Sequence, residues 1–153
     1  MPPSDRTFRV PHDLAHFAVE GELGMRDGVF GTVMAGGLFD KMQIIAGRRR
    51  HDDRQRSAAV VRANTATRAV AVAEVLAGVV HRAVEAGTQP DLYSRACEQW
   101  GIVRQDPFPF TPEQLASARC GLSELAEEWT SLDTGSQLTL RWTVPVARRG
   151  RGR

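Results

Sequence analysis

The chain has 153 residues, 42% of them hydrophobic and 25% charged, which is enough to bury the core of one ordinary domain. Its formal charge of +2 rests on the ending Arg148-Arg149-Gly150-Arg151-Gly152-Arg153; without those four arginines, 16 basic residues face 18 acidic ones and the body carries −2. That balance argues against a basic nucleic-acid-binding body. The absence of any apolar run near the roughly 20 residues of a spanning helix argues against a membrane partner.

The opening, Met1-Pro2-Pro3-Ser4-Asp5-Arg6, lacks the apolar stretch of a signal peptide, so the expectation is a cytoplasmic protein. Cys97 and Cys120 are too few for a disulfide framework and read as small core residues. In Thr7-Phe8-Arg9-Val10 the apolar residues alternate, as in a short half-buried strand. Pro11 suits the first position of a helix, Asp13 its first turn, and Gly24 a stop after Leu23. Asp27-Gly28 reads as a turn. Phe30, Val33, Met34 and Leu38 follow at helical spacing, broken by Gly36-Gly37, with a second apolar piece through Ile45. A mixed-charge loop then runs from Gly47 to Arg54.

One long helix is predicted from Asp53 to Ala86, closed by Gly87. Val61, Val72, Leu76, Val79, Val80 and Ala83 form its apolar face. A second stripe is polar: Asn64, Thr67, Glu74, His81 and Glu85. A shorter helix is expected from Pro90 to Trp100, ended by Gly101, and then an extended linker through Phe110. Thr111-Pro112-Glu113-Gln114 carries a capping box with proline at the first helical position. Leu115, Ala118, Leu122, Leu125 and Trp129 mark the buried stripe of the helix it starts. After the turn at Asp133-Thr134-Gly135-Ser136, Leu138, Leu140, Trp142, Val144 and Val146 alternate with polar residues as a strand would. The expected fold is mainly α (α+β): four or five helices and a small antiparallel sheet pairing the two chain ends. Residues 1–147 form the domain, and 148–153 a disordered Arg-Gly tail.

The stretch Val10-Pro11-His12-Asp13-Leu14-Ala15-His16-Phe17-Ala18-Val19-Glu20 concentrates the chemistry. His12 and His16, four apart on a helix, share one face and can grip one transition-metal ion. Glu20 continues the row about 12 Å along the axis from His12, placed to hold His16 from behind or to act as a base. Asp13 is a second candidate base or ligand. A third ligand must come from elsewhere; Glu74 and His81, seven apart on the long helix, are the best donors if that stripe faces inward. The alternative is an ordinary polar corner, or a solvated helix face, built from the same residues.

The same stretch resembles a hallmark of small bacterial proteins of actinobacterial type, and the likeness extends through residues 28–39 and the long helix; it implies no particular activity. His12, Asp13 and His16 also resemble the first three ligands of the zinc-binding HDxxH motif of a ubiquinone-biosynthesis protein family. That likeness implies zinc at this helix. The family's pattern continues with a glutamate twelve residues after the second histidine, where this chain has Gly28.

The leading functional expectation is a small metal-dependent enzyme of hydrolase or lyase type acting on a small molecule. A divalent transition metal, zinc among the candidates, would be held by His12, His16, Glu74 and His81, with Asp13 and Glu20 catalytic. Two other readings compete: a non-catalytic helical interaction protein, for instance a homodimer, and a nucleic-acid-associated protein using its arginine tail.

Overall fold

The computed structural model describes residues 8–39, 42–46, 53–87 and 91–144. Six helices are present among them: α1 (His12–Glu22), α2 (Val29–Met34), α3 (Asp53–Ala66), α4 (Ala69–Ala86), α5 (Leu92–Val103) and α6 (Pro112–Thr130). α4 is the hub. It packs against α1, α5 and α6, while α1 also packs on α6; α2 and α3 attach at one side. Leu76 and Val80 of α4, Ala15 and Val19 of α1, and Leu115 and Leu122 of α6 meet in the core with almost no exposure. No helix among the described residues is long and apolar enough to cross a membrane.

Local signals explain most boundaries. Thr111 and Gln114 form the reciprocal capping box, with side chain to backbone contacts of 2.9 and 3.2 Å. Gly87 ends α4 at φ 75°, a left-handed conformation in which other residues are strained. α1 begins one residue after Pro11, which occupies the cap rather than the first turn. α5 runs through Gly101 to Val103, because Trp100 anchors that end by donating from Nε1 to the Asp106 carbonyl at 2.8 Å. Residues 107–110 form no helix or strand, and Phe108 and Phe110 pack edge-on to Trp100.

The structure corrects or completes the sequence reading in four further places. No strand or sheet forms among the described residues, so the expected pairing of the chain ends is absent and the fold is helical. Near the N-terminus, α4 side chains occupy the groups a ladder would need. Val10 N donates to Glu85 Oε1 at 2.8 Å, and Val10 O accepts from His81 Nε2 at 2.9 Å. At the other end, Leu138, Leu140, Trp142 and Val144 alternate with exposed neighbours, but Leu138, Leu140 and Trp142 lie on the helical core rather than on a partner strand. Trp142 stacks on Phe30 and meets Phe17 edge-on, with ring centroids 5.4 and 5.7 Å away.

Second, the predicted long helix is two helices, broken at Thr67-Arg68, with Arg68 left-handed at φ 60°. No glycine or proline marks this break. Thr65 Oγ1 bonds back to the Val61 carbonyl and Thr67 Oγ1 to the Asn64 carbonyl, the local competition that makes threonine and asparagine poor helix formers. Third, the second apolar piece, whose conformation the sequence left open, has no helix within 42–46. Fourth, Cys120 is exposed and Cys97 only half-buried, so neither is a core residue. The predicted loop at 47–52, Pro90, and the Arg-Gly tail at 148–153 lie outside the described residues.

Candidate metal centre

The centre forms where the start of α1 crosses the middle of α4. The spacing of four puts His12 and His16 on one face of α1, and the spacing of seven puts Glu74 and His81 on one face of α4. The two faces meet. Glu74 bridges the histidines: Oε1 lies 3.0 Å from His12 Nε2, and Oε2 lies 2.7 Å from His16 Nε2. One donor atom from each of the three lies within 4.8 Å of the others, so this group can hold a metal ion.

The outward nitrogens of both rings are engaged as well. His16 Nδ1 lies 2.8 Å from Glu20 Oε1. Glu20 is fully buried, and its carboxylate is seated on the first turn of α2: Val29 N donates to Oε1 and Phe30 N to Oε2, each at 2.9 Å. Gly28 makes this seat possible, since a Cβ there would lie 2.5 Å from Glu20 Oε2. His12 Nδ1 faces His81 Nδ1 at 3.0 Å, and His81 Nε2 donates to the Val10 carbonyl.

Hydrogen-bond accounting fixes what the inward atoms offer. A carbonyl only accepts, so His81 carries its proton on Nε2. A neutral His81 then accepts on Nδ1, and His12 must donate from its own Nδ1. His16 likewise donates from Nδ1 to Glu20. In their neutral forms both rings therefore aim an Nε2 lone pair at the Glu74 carboxylate, which is itself an acceptor. Three acceptors converge, and either extra protons or a cation must sit between them.

The electrostatics follow this layout. Burial pushes the pKa of His16 down, but its contacts with Glu20 and Glu74 outweigh that, and the net shift is upward. Burial pushes Glu74 up, yet His16 and His12 bring it below the ordinary carboxylate value. His81 is lowered, by burial first and then by the neighbouring His12, against the opposing pull of the Val10 carbonyl and Glu85. His81 is thus favoured as the neutral acceptor that the accounting requires.

Of the six residues singled out in the sequence, the structure brings His12, His16 and Glu74 to one point. His81 joins through His12, and Glu20 stands behind His16. Asp13 is exposed and lies outside the three-donor group. Sequence reasoning missed the backbone seat at Val29 and Phe30, which no side-chain motif announces. It also missed Phe8, whose ring packs at a tilt against His81 with centroids 4.5 Å apart. Glu85 was visible only as part of the polar stripe; its spacing of four from His81 is the signal that it shares that face. No protein-family model, curated protein or solved structure matches the chain.

Proposed function

We propose that the chain is a small metal-dependent enzyme of hydrolase or lyase type acting on a small molecule, with one divalent transition ion held by His12 Nε2, His16 Nε2 and Glu74. The observation that carries this reading is the convergence of three acceptor atoms whose supporting hydrogen bonds already point the imidazole protons away. Ligand atoms around 2.0–2.2 Å from one ion sit about 3 Å apart; Glu74 lies 3.0 and 2.7 Å from the two ring nitrogens, and all three donor atoms fall within 4.8 Å of one another. Three protein ligands leave a coordination position for substrate, as catalytic zinc sites do, and zinc, iron and manganese all accept two imidazoles and a carboxylate. A bound ion supplies Lewis-acid chemistry, polarising a carbonyl or acidifying water.

The chain's own residues have separate tasks in this reading. Glu20 and His81 are positioning residues: they fix the tautomers and ring orientations of His16 and His12. Both Glu20 oxygens accept hydrogen bonds, which leaves it poorly placed to take a proton from substrate. Asp13, exposed and next to His12, is the carboxylate available for proton transfer. Glu74 is a ligand with 60% of its side chain exposed, so a small molecule has access from the solvent side.

Metal analysis of untagged protein tests the site. About one equivalent of a transition metal per chain is expected, lost in the double variant His12→Ala/His16→Ala while the helical circular dichroism persists. Hydrolysis of chromogenic esters or phosphoesters should follow metal content and vanish with chelator. Wild-type protein that takes up no stoichiometric ion, even on titration with Zn2+, Fe2+ or Mn2+, would overturn the reading.

A further inference from the structure

A second site lies away from the metal ligands, between the end of α2 and the solvent side of α3. There the chain encloses an open-mouthed cavity of about 680 Å3. Ligand clefts are commonly 300–1,000 Å3 and mostly apolar with a few polar anchors. Val33, Leu38, Ile44 and Val61 supply apolar walls, and Ala58 keeps the α3 side shallow. Among the described residues, its charged lining groups are cationic: Arg54 and Arg62, eight residues apart on α3 and so about 12 Å along the axis, with Ala58 midway. Both arginines are exposed, and neither has an ion-pair partner among the described residues.

The wall is held in shape independently of any occupant. Leu38 N donates to Ser57 Oγ at 2.8 Å, tying the segment after α2 to α3. Asn64 Nδ2 donates to Thr32 Oγ1 at 2.7 Å and ties α2 itself. Gly37 allows the close approach, since a Cβ there would lie 2.6 Å from Thr32 Cγ2 and 3.2 Å from Val61 Cγ2.

We propose that this cleft binds an amphipathic organic anion, a carboxylate or phosphate monoester on an aliphatic body. The tail would lie against Val33, Leu38 and Val61, and the head would take charge-assisted hydrogen bonds from Arg62 or Arg54. An uncharged apolar ligand would leave both guanidinium groups unused. A compact polar anion would leave the apolar walls wetted. Only a molecule with both parts matches the lining.

Calorimetric titration of the full chain with decanoate, kept below its aggregation concentration, tests the site, with decanol and acetate as controls. Saturable binding at one site is expected, with decanol and acetate each at least tenfold weaker. Arg54→Ala/Arg62→Ala should weaken decanoate at least tenfold, and Ala58→Trp should abolish binding by filling the cleft. Both arginines are exposed, so the double variant gives a result even if Ala58→Trp fails to fold. His12→Ala/His16→Ala should leave decanoate binding unchanged, which separates this site from the metal reading. Absence of saturable decanoate binding, or equal affinity in the arginine double variant, overturns the proposal.

Discussion

His16 and Glu20, one helical turn apart on α1, are both buried and 2.8 Å from each other, and Glu20 is in turn seated on two backbone N–H groups of α2. The ring of His16 is therefore oriented by a carboxylate that the start of another helix holds in place. Replacing Glu20 by glutamine puts an amide N–H2 where an acceptor is required, so at least one of three donors loses its partner. Unfolding by urea should show a loss of about 1–3 kcal/mol, the usual cost of an unsatisfied buried donor. Metal affinity, measured by competition with a chromophoric chelator, should drop roughly 10–100-fold, as when other such supporting carboxylates are removed.

Gly28→Ala tests the same arrangement without replacing a polar group. Its backbone, at φ −72°, suits any residue, but the added methyl would meet Glu20 Oε2 at 2.5 Å and Ala73 Cβ at 3.0 Å. Overpacking of this kind costs about 1–3 kcal/mol. The expected result is a lower melting temperature together with weaker metal binding, the latter because Glu20 must shift. An alanine variant with wild-type stability and metal affinity would show that the carboxylate can move freely.

Protons and metal compete for the same atoms, which sets two pH dependences. Metal affinity should rise with pH, because His16, whose pKa is raised in the fold, must give up its proton to bind. In chelator-treated protein the opposite trend holds for His16. Its folded pKa is raised, so its stabilising contribution is complete below 6.5 and is lost as pH climbs through the folded value. Glu74, lowered in the fold, contributes above 4.5 and loses that contribution as pH falls. The stability difference between wild type and His16→Gln should thus be largest between about pH 4.5 and 6.5 and shrink on both sides; urea titrations across pH 3.5–9 measure it.

Trp142 joins the C-terminal segment to Phe17 and Phe30 on α1 and α2. A buried tryptophan truncated to alanine costs about 3–5 kcal/mol, and this one is only half-buried, so Trp142→Ala should cost about 2 kcal/mol. Hydrogen exchange should quicken at α2, which depends on that contact and on Glu20.

The centre was readable to the extent that it obeys helix periodicity. Spacings of four and seven put His12 with His16 and Glu74 with His81, and the only further step was that the two faces oppose each other. Gly28 was not readable in this way. Its role depends on Glu20 being beside it in space, and locally it is only the second half of an Asp-Gly turn. The fold shows the same division. Alternation at residues 138–144 correctly indicates which side chains turn inward, but it says nothing about what receives the backbone hydrogen bonds, so a sheet was inferred where the segment rests on helices. The break at Arg68 escaped because a left-handed arginine has no compositional mark, whereas the stop at Gly87 does.

Glu74 is the most solvent-accessible of the three candidate ligands, 60% exposed, and His12 is 37% exposed. An ion held by these groups exchanges with the bulk after the chain has folded, without waiting for the core to open. In the proposed centre, occupancy would therefore track the free metal of the surroundings, and a chelator in a purification buffer would strip the ion from a protein that remains folded. On the proposed function, two preparations with identical spectra and melting curves in the same apo buffer would differ in activity according to the last metal they met.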